Sequence, residues 1–152
     1  MRLTLHTDYA LRLLMLLALE PGRLHTIQET ARRYGISRNH LMKVALTLVK
    51  AGFVESNRGR SGGLRLSRPA ERVGLGAVVR ATEDNFNLVE CFDRDSNTCV
   101  IAPACGLRAP LHEASAAFLA VLDRYTLADL LAGPRAHRSM QRLLAERAAA
   151  SA

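Results

Sequence analysis

Cys91, Cys99 and Cys105 are the only cysteines of a 152-residue chain, and they fall within fifteen consecutive positions. Thiolates are soft donors, and thiols grouped this closely hold metals or run redox chemistry more often than they pack as small hydrophobes. The spacing C-x7-C-x5-C contains no C-x-x-C pair and offers three thiols rather than four donors, which is a poor match to structural zinc. Iron-sulfur clusters take thiolates from extended loops and accept a non-cysteine ligand. The same window carries Asp93, Asp95, Asn97 and Pro103 with little apolar surface, so it reads as a loop without a core of its own that a cofactor must order. Asp93, Asp95 and His112 are the nearby candidates for a fourth ligand, and spacing alone does not choose among them. An odd number of cysteines argues against a disulfide framework.

Charge places a second activity upstream of this loop. The net charge is +7, yet residues 1–72 hold thirteen Lys and Arg against five Asp and Glu, a surplus of eight, while the remainder is close to neutral. A basic half-chain of this kind is the electrostatic footprint of a polyanion-binding unit, because neutralising phosphates releases condensed counterions.

Hydrophobic periodicity supplies the elements that position both features. A first helix runs to about Leu19 with Thr7 as its expected N-cap, presenting Leu11, Leu14, Met15 and Ala18, and Pro21-Gly22 ends it. Thr26-Ile27-Gln28-Glu29 has capping-box spacing and predicts a short helix to Tyr34, stopped by Gly35. Ser37 opens a third helix, Arg38 to about Ala51, with Leu41, Val44, Ala45 and Leu48 inward. Phe53–Ser56 and Gly63–Leu66 alternate like strands around the basic, glycine-rich tip Asn57–Gly62. Helix, turn, longer helix and hairpin make a winged helix-turn-helix. Arg38, Asn39, His40 and Lys43 are then the expected base and phosphate readers, and Arg58 and Arg60 the wing contacts. Val73–Glu83 predicts a short helix. A longer one, about Leu107 to Tyr125, carries an apolar stripe of Leu111, Phe118 and Leu122 suited to a dimer interface. The Ala/Arg-rich end after Gly133-Pro134 reads as a flexible tail.

Several motifs in order are similar to the NsrR regulators, relatives of IscR: Thr7-Asp8-Tyr9-Ala10-Leu11-Arg12, Ser37-Arg38-Asn39-His40-Leu41, Gly62-Gly63-Leu64-Arg65-Leu66, the loop ending Pro103-Ala104-Cys105, and Tyr125-Thr126-Leu127-Ala128-Asp129-Leu130. The resemblance covers about Met1 to Leu131. It implies a homodimeric winged-helix repressor that binds a double-stranded DNA operator and responds to nitric oxide. It also implies an iron-sulfur cluster on Cys91, Cys99 and Cys105, with Asp8 of the partner subunit as fourth ligand. A 4Fe-4S cluster is expected in preference to a 2Fe-2S one.

The fold class expected is mainly α with a small β-hairpin wing, divided into a DNA-binding domain (1–72), a cluster loop with dimerisation helix (73–132) and a tail (133–152). The function expected is cluster-controlled transcriptional repression; the alternative is a metal-free thiol redox switch on the same DNA reader. No enzyme is expected, since no phosphate loop, metalloprotease helix or nucleophile elbow is present. His6, His25 and His137 are scattered and read as surface or capping residues. The apolar run Leu11–Leu19 is interrupted by Arg12 and too short to span a bilayer, so a cytoplasmic location without membrane contact is expected.

Overall fold

The computed structural model describes residues 2–57, 59 and 62–150. Helix α1 spans Leu5–Leu19 and starts earlier than the sequence predicts. Thr4 is the N-cap, in extended conformation, its hydroxyl accepting from the Thr7 amide at 3.2 Å. Thr7 is instead fully buried inside the helix, where its hydroxyl donates to Thr82 Oγ1 at 2.9 Å. Both threonines suit a cap by type; only tertiary burial separates them. α1 is also buried on more than one stripe, with Ala10, Leu13, Leu14, Leu16 and Leu17 all in the interior.

Helix α2 (Ile27–Tyr34) forms as its capping box predicts, with Thr26 Oγ1 accepting from the Glu29 amide at 3.1 Å. Gly35 ends it at φ 65°, a left-handed conformation in which its amide reaches back to the carbonyls of Ala31 and Arg32. Helix α3 (Arg38–Lys50) buries Leu41, Val44, Ala45 and Leu48, the stripe read from the sequence. Strands β1 (Val54–Asn57) and β2 (Gly63–Leu66) pair antiparallel, from Val54 opposite Leu66 to Asn57 opposite Gly63. His25 adds one more rung, exchanging two backbone hydrogen bonds with Leu64 at 3.0 and 2.8 Å. That rung brings backbone so near Gly63 that a Cβ there would press on His25.

Helices α4 (Leu75–Thr82), α5 (Arg108–Leu122) and α6 (Pro134–Ala150) complete the chain. Val73, Val78 and Leu127 lie in one core with residues of α1 and α3. The segment after α5 returns to that core through hydrogen bonds from Leu127 N to Val73 O (2.8 Å) and Leu75 N to Tyr125 O (2.9 Å). The C-terminal segment differs from the expected flexible tail. It forms a seventeen-residue helix that packs along α2, with partly buried His137, Met140, Leu144 and Ala148 at three- and four-residue spacing. Gln141 Nε2 donates to the Leu19 carbonyl at 3.3 Å. Among the described residues no helix is long and apolar enough to cross a membrane.

Candidate nucleic-acid interface and metal centre

Arg38, Asn39 and Lys43 are exposed on α3; Asn39 and Lys43 lie opposite its buried stripe, as a groove-facing surface requires, and Arg38 stands in the first turn in line with that stripe. His40 is only half-exposed. Its ring meets Tyr9 of α1 edge-on, with centroids 4.9 Å apart, and lies 6.4 Å from the ring of His6. His6 Nε2 in turn lies 3.1 Å from Thr47 Oγ1, so α1 grips the recognition helix at two places. Single-sequence reading missed Tyr9, His6 and Thr47, because nothing local marks a contact between residues 31 and 41 positions apart. Arg58 and Arg60 lie outside the described residues.

Much of the N-terminal positive charge is already committed. Arg12 pairs with Asp8, Arg65 with Glu55, and Arg23 and Arg33 share Glu20 and Glu29 at 2.5 to 2.8 Å. Burial pushes the Glu20 carboxyl up, but hydrogen bonds from Arg33 and Arg23 outweigh it and hold the group below the usual carboxylate range. Against that network sits His25, which the sequence suggests is a surface or capping residue. It is fully buried beneath the wing, and neither ring nitrogen makes a hydrogen bond. Arg38, Lys43 and Lys50 make none of the ion pairs among the described residues, so α3 presents three cations that no carboxylate of those residues neutralises.

The cysteine loop matches its expectation in one respect: from Glu83 to Ala114 no residue is buried. Val100 and Ile101, beside Cys99, are 93% and 65% exposed. Local polar turns hold the loop. Asp93 accepts from the Asp95 amide (3.0 Å) and the Ser96 hydroxyl (2.8 Å), and the Ser96 bond foremost keeps its carboxyl below the usual range. Asn97 Oδ1 accepts from the Cys99 amide at 3.1 Å. Cys91 sits in a 3-10 turn (Glu90–Phe92), and Cys105 follows another (Ala102–Ala104). All three thiols are free and half-buried.

Within one chain, no three His, Cys, Asp or Glu among the described residues stand close enough together to hold a metal ion. Asp8 is engaged elsewhere, its carboxylate forked to Arg12 at 2.6 and 3.0 Å. The donor chemistry nonetheless suits an iron-sulfur cluster: three thiols that the fold does not use, on a stretch that can close without breaking a core.

Two bonds tie the root of this loop to α1. Glu83 Oε1 accepts from the Thr4 amide at 2.8 Å and hydroxyl at 3.0 Å, and Thr82 accepts from Thr7 one turn further in. At the far end of the loop, α5 buries only Ser115, leaving Leu107, Val121 and Tyr125 exposed and Leu111, Phe118 and Leu122 half-covered. The Arg80–Asp123 fork, at 2.6 and 2.7 Å, fastens α5 to α4. It passes over Gly76, where a Cβ would collide with the carboxylate.

Known proteins share this architecture and sequence. The HTH-type transcriptional regulator NsrR of Bacillus subtilis is 56% identical over 132 residues, covering 86% of this chain and 90% of that protein. The NsrR of Geobacillus kaustophilus is 52% identical over 142 residues, covering 92% and 96%. The solved structure of CymR, the global cysteine regulator of B. subtilis, matches with a TM-score of 0.69 at 25% identity, over 87% of this chain and 97% of that one. Residues 3–133 match the Rrf2 family, described as an iron-dependent transcriptional regulator. The chain is a winged-helix regulator of transcription rather than an enzyme, and it belongs to the Rrf2 family.

Proposed function

We propose that this chain is a homodimeric repressor whose affinity for a double-stranded DNA operator is controlled by an iron-sulfur cluster and relieved by nitric oxide. Cys91, Cys99, Cys105 and the partner's Asp8 would hold the cluster, of 4Fe-4S type. One observation carries the reading: a stretch from Glu83 to Ala114 without a buried residue, holding every thiol of the chain, is rooted on the helix that touches the recognition helix. The similarity to NsrR supports nitric oxide as the signal, and the uncovered stripe of α5 supports the dimer.

When bound, the cluster would supply a crosslink between the thiols and an oxygen donor, and iron with which nitric oxide can react. The remainder of the mechanism belongs to the chain. Asp8, now forked to Arg12, would have to leave that pair to act as a ligand, and Tyr9, the next residue, bears on His40. Thr4 and Thr7 hold the start of α1 to Glu83 and Thr82, so movement of the loop root is felt in the same turn. Two recognition helices must enter major grooves about 34 to 36 Å apart, and a small rotation of each α3 misaligns them. Arg38, Asn39, His40 and Lys43 would read base edges and phosphates, and Arg58 and Arg60 would hold the flanking backbone.

The test is absorbance and native mass of anaerobically purified protein, with iron and acid-labile sulfide analysis, before and after nitric oxide. A dimer containing iron and sulfide, which loses its chromophore and its operator affinity together, is the expected result. Protein with neither iron nor sulfide whose operator binding follows thiol oxidation would assign the cysteines to a metal-free redox switch.

A further inference from the structure

Asn39, Met42, Lys43, Leu46 and Lys50 fall on one face of α3, and all are exposed, opposite the buried Leu41, Val44, Ala45 and Leu48. Two of them break the pattern of that face. Met42 is 51% and Leu46 55% exposed, one helical turn apart, amid an amide and two ammonium groups. An apolar pair left open in a cationic surface calls for a partner that is anionic at its borders and apolar at its centre. The major groove of DNA has that character: phosphates line its walls, and thymine alone presents a methyl group on its floor.

We propose that Leu46, with Met42 beside it, reads thymine by packing on the 5-methyl group in the operator, while Lys43 and Lys50 meet the bordering phosphates. The inference rests on α3 being the helix that enters the groove. A second copy of this chain would have to bring an acidic surface to Lys43 and Lys50, whereas DNA supplies that charge on both sides. Alanine at either apolar position favours helix at least as well as the native residue, so the variants keep α3 intact.

An operator selected from random duplexes would be resynthesised with each thymine replaced in turn by deoxyuridine, which removes the methyl and preserves base pairing. Wild-type protein should lose affinity about three- to fivefold at particular positions, the worth of one buried methyl group. Leu46→Ala should bind the thymine operator more weakly by a similar factor and become indifferent to deoxyuridine at one of those positions. Met42→Ala should do the same at a neighbouring one. Lys43→Ala should weaken all duplexes alike. Wild-type protein that binds every deoxyuridine operator as tightly as the thymine one overturns the proposal. So does Leu46→Ala that keeps full sensitivity to deoxyuridine, or that changes the oligomeric state by native mass. If Lys43→Ala and Leu46→Ala both leave DNA affinity untouched, the placement of α3 in the groove fails as well.

Discussion

The ring of Tyr9 stands edge-on to that of His40, centroids 4.9 Å apart and planes inclined at 71°, so the residue after Asp8 bears on the first turns of α3. Edge-to-face contacts of this kind are worth about 0.5 to 1.5 kcal/mol beyond area burial, enough to bias the position of a helix without fixing it. Tyr9→Ala should therefore keep the iron chromophore but shrink the ratio of operator affinities between cluster-loaded and cluster-free protein. Fluorescence anisotropy on both forms measures that ratio. A ratio equal to wild type would remove this contact from the signalling route.

Asp8 and Arg12 form an ion pair whose side chains are 40% and 44% exposed, and pairs this open contribute about 0 to 1 kcal/mol. Releasing Asp8 from Arg12 is therefore cheap. As an oxygen ligand it would be the exchangeable corner of the cluster, whereas thiolates are softer and better matched to iron. Cys99→Ala and Cys105→Ala should lose the chromophore; Asp8→Ala should keep part of it with an altered spectrum, and Asp8→Cys should slow its loss to nitric oxide. A helix-start carboxylate acting only on the dipole is worth about 0.3 to 1 kcal/mol. If Asp8→Ala merely lowers thermal stability by that order, with spectrum and nitric oxide response unchanged, Asp8 is no ligand.

Where local chemistry decides the outcome, the sequence was readable. Thr26 with Glu29, Gly35 in its left-handed turn, and the stripe Leu41, Val44, Ala45 and Leu48 each have a cause within a few residues. Distant partners hid the rest. Thr4 and Thr7 are equivalent as caps until Thr82 is packed against one of them, and His25 looks solvent-facing until β2 pairs with it. The α6 stripe of Met140, Leu144 and Ala148 is diluted by alanine and arginine, and packing along α2 gives it a face to bury. The three thiols are close in sequence, yet within one chain no three possible metal ligands among the described residues stand together, so their spacing alone does not give a site.

Helix α5 gives a direct test of the dimer. Phe118 is half-covered by its own chain, so Phe118→Asp would disturb both fold and interface, but Val121 on the same helix is 43% exposed. Val121→Asp should leave the subunit folded while placing an unpaired charge in the contact between copies. Sedimentation should show monomers, with operator affinity sharply reduced because two half-sites are no longer engaged together. Dimers of unchanged stability would move the interface off α5.

His25 gives the folded chain a pH dependence through its burial. Burial holds its imidazole below the ordinary value of 6.5, against the opposing pull of Glu20, whose Oε2 lies 3.7 Å from Nε2. Arg23, Glu29 and Arg33 are the other charged groups acting on the ring, and their effects oppose one another. A depressed folded value means that the unfolded chain takes up the proton first as pH falls. The stability present above 6.5 is therefore lost progressively below it. Glu20, held below its ordinary 4.5, keeps its contribution until the pH is lower still, so the two groups act in separate windows. Thermal melts of wild-type protein should shift downward from about pH 7 to 5, and His25→Leu, which removes the titrating group, should flatten that shift whatever its effect on absolute stability. Because His25 is paired to Leu64 at the base of the wing, the same protonation should weaken operator binding in the wild type more than in the variant. Identical pH profiles for both proteins would show that the ring stays neutral throughout, and that the wing does not feel it.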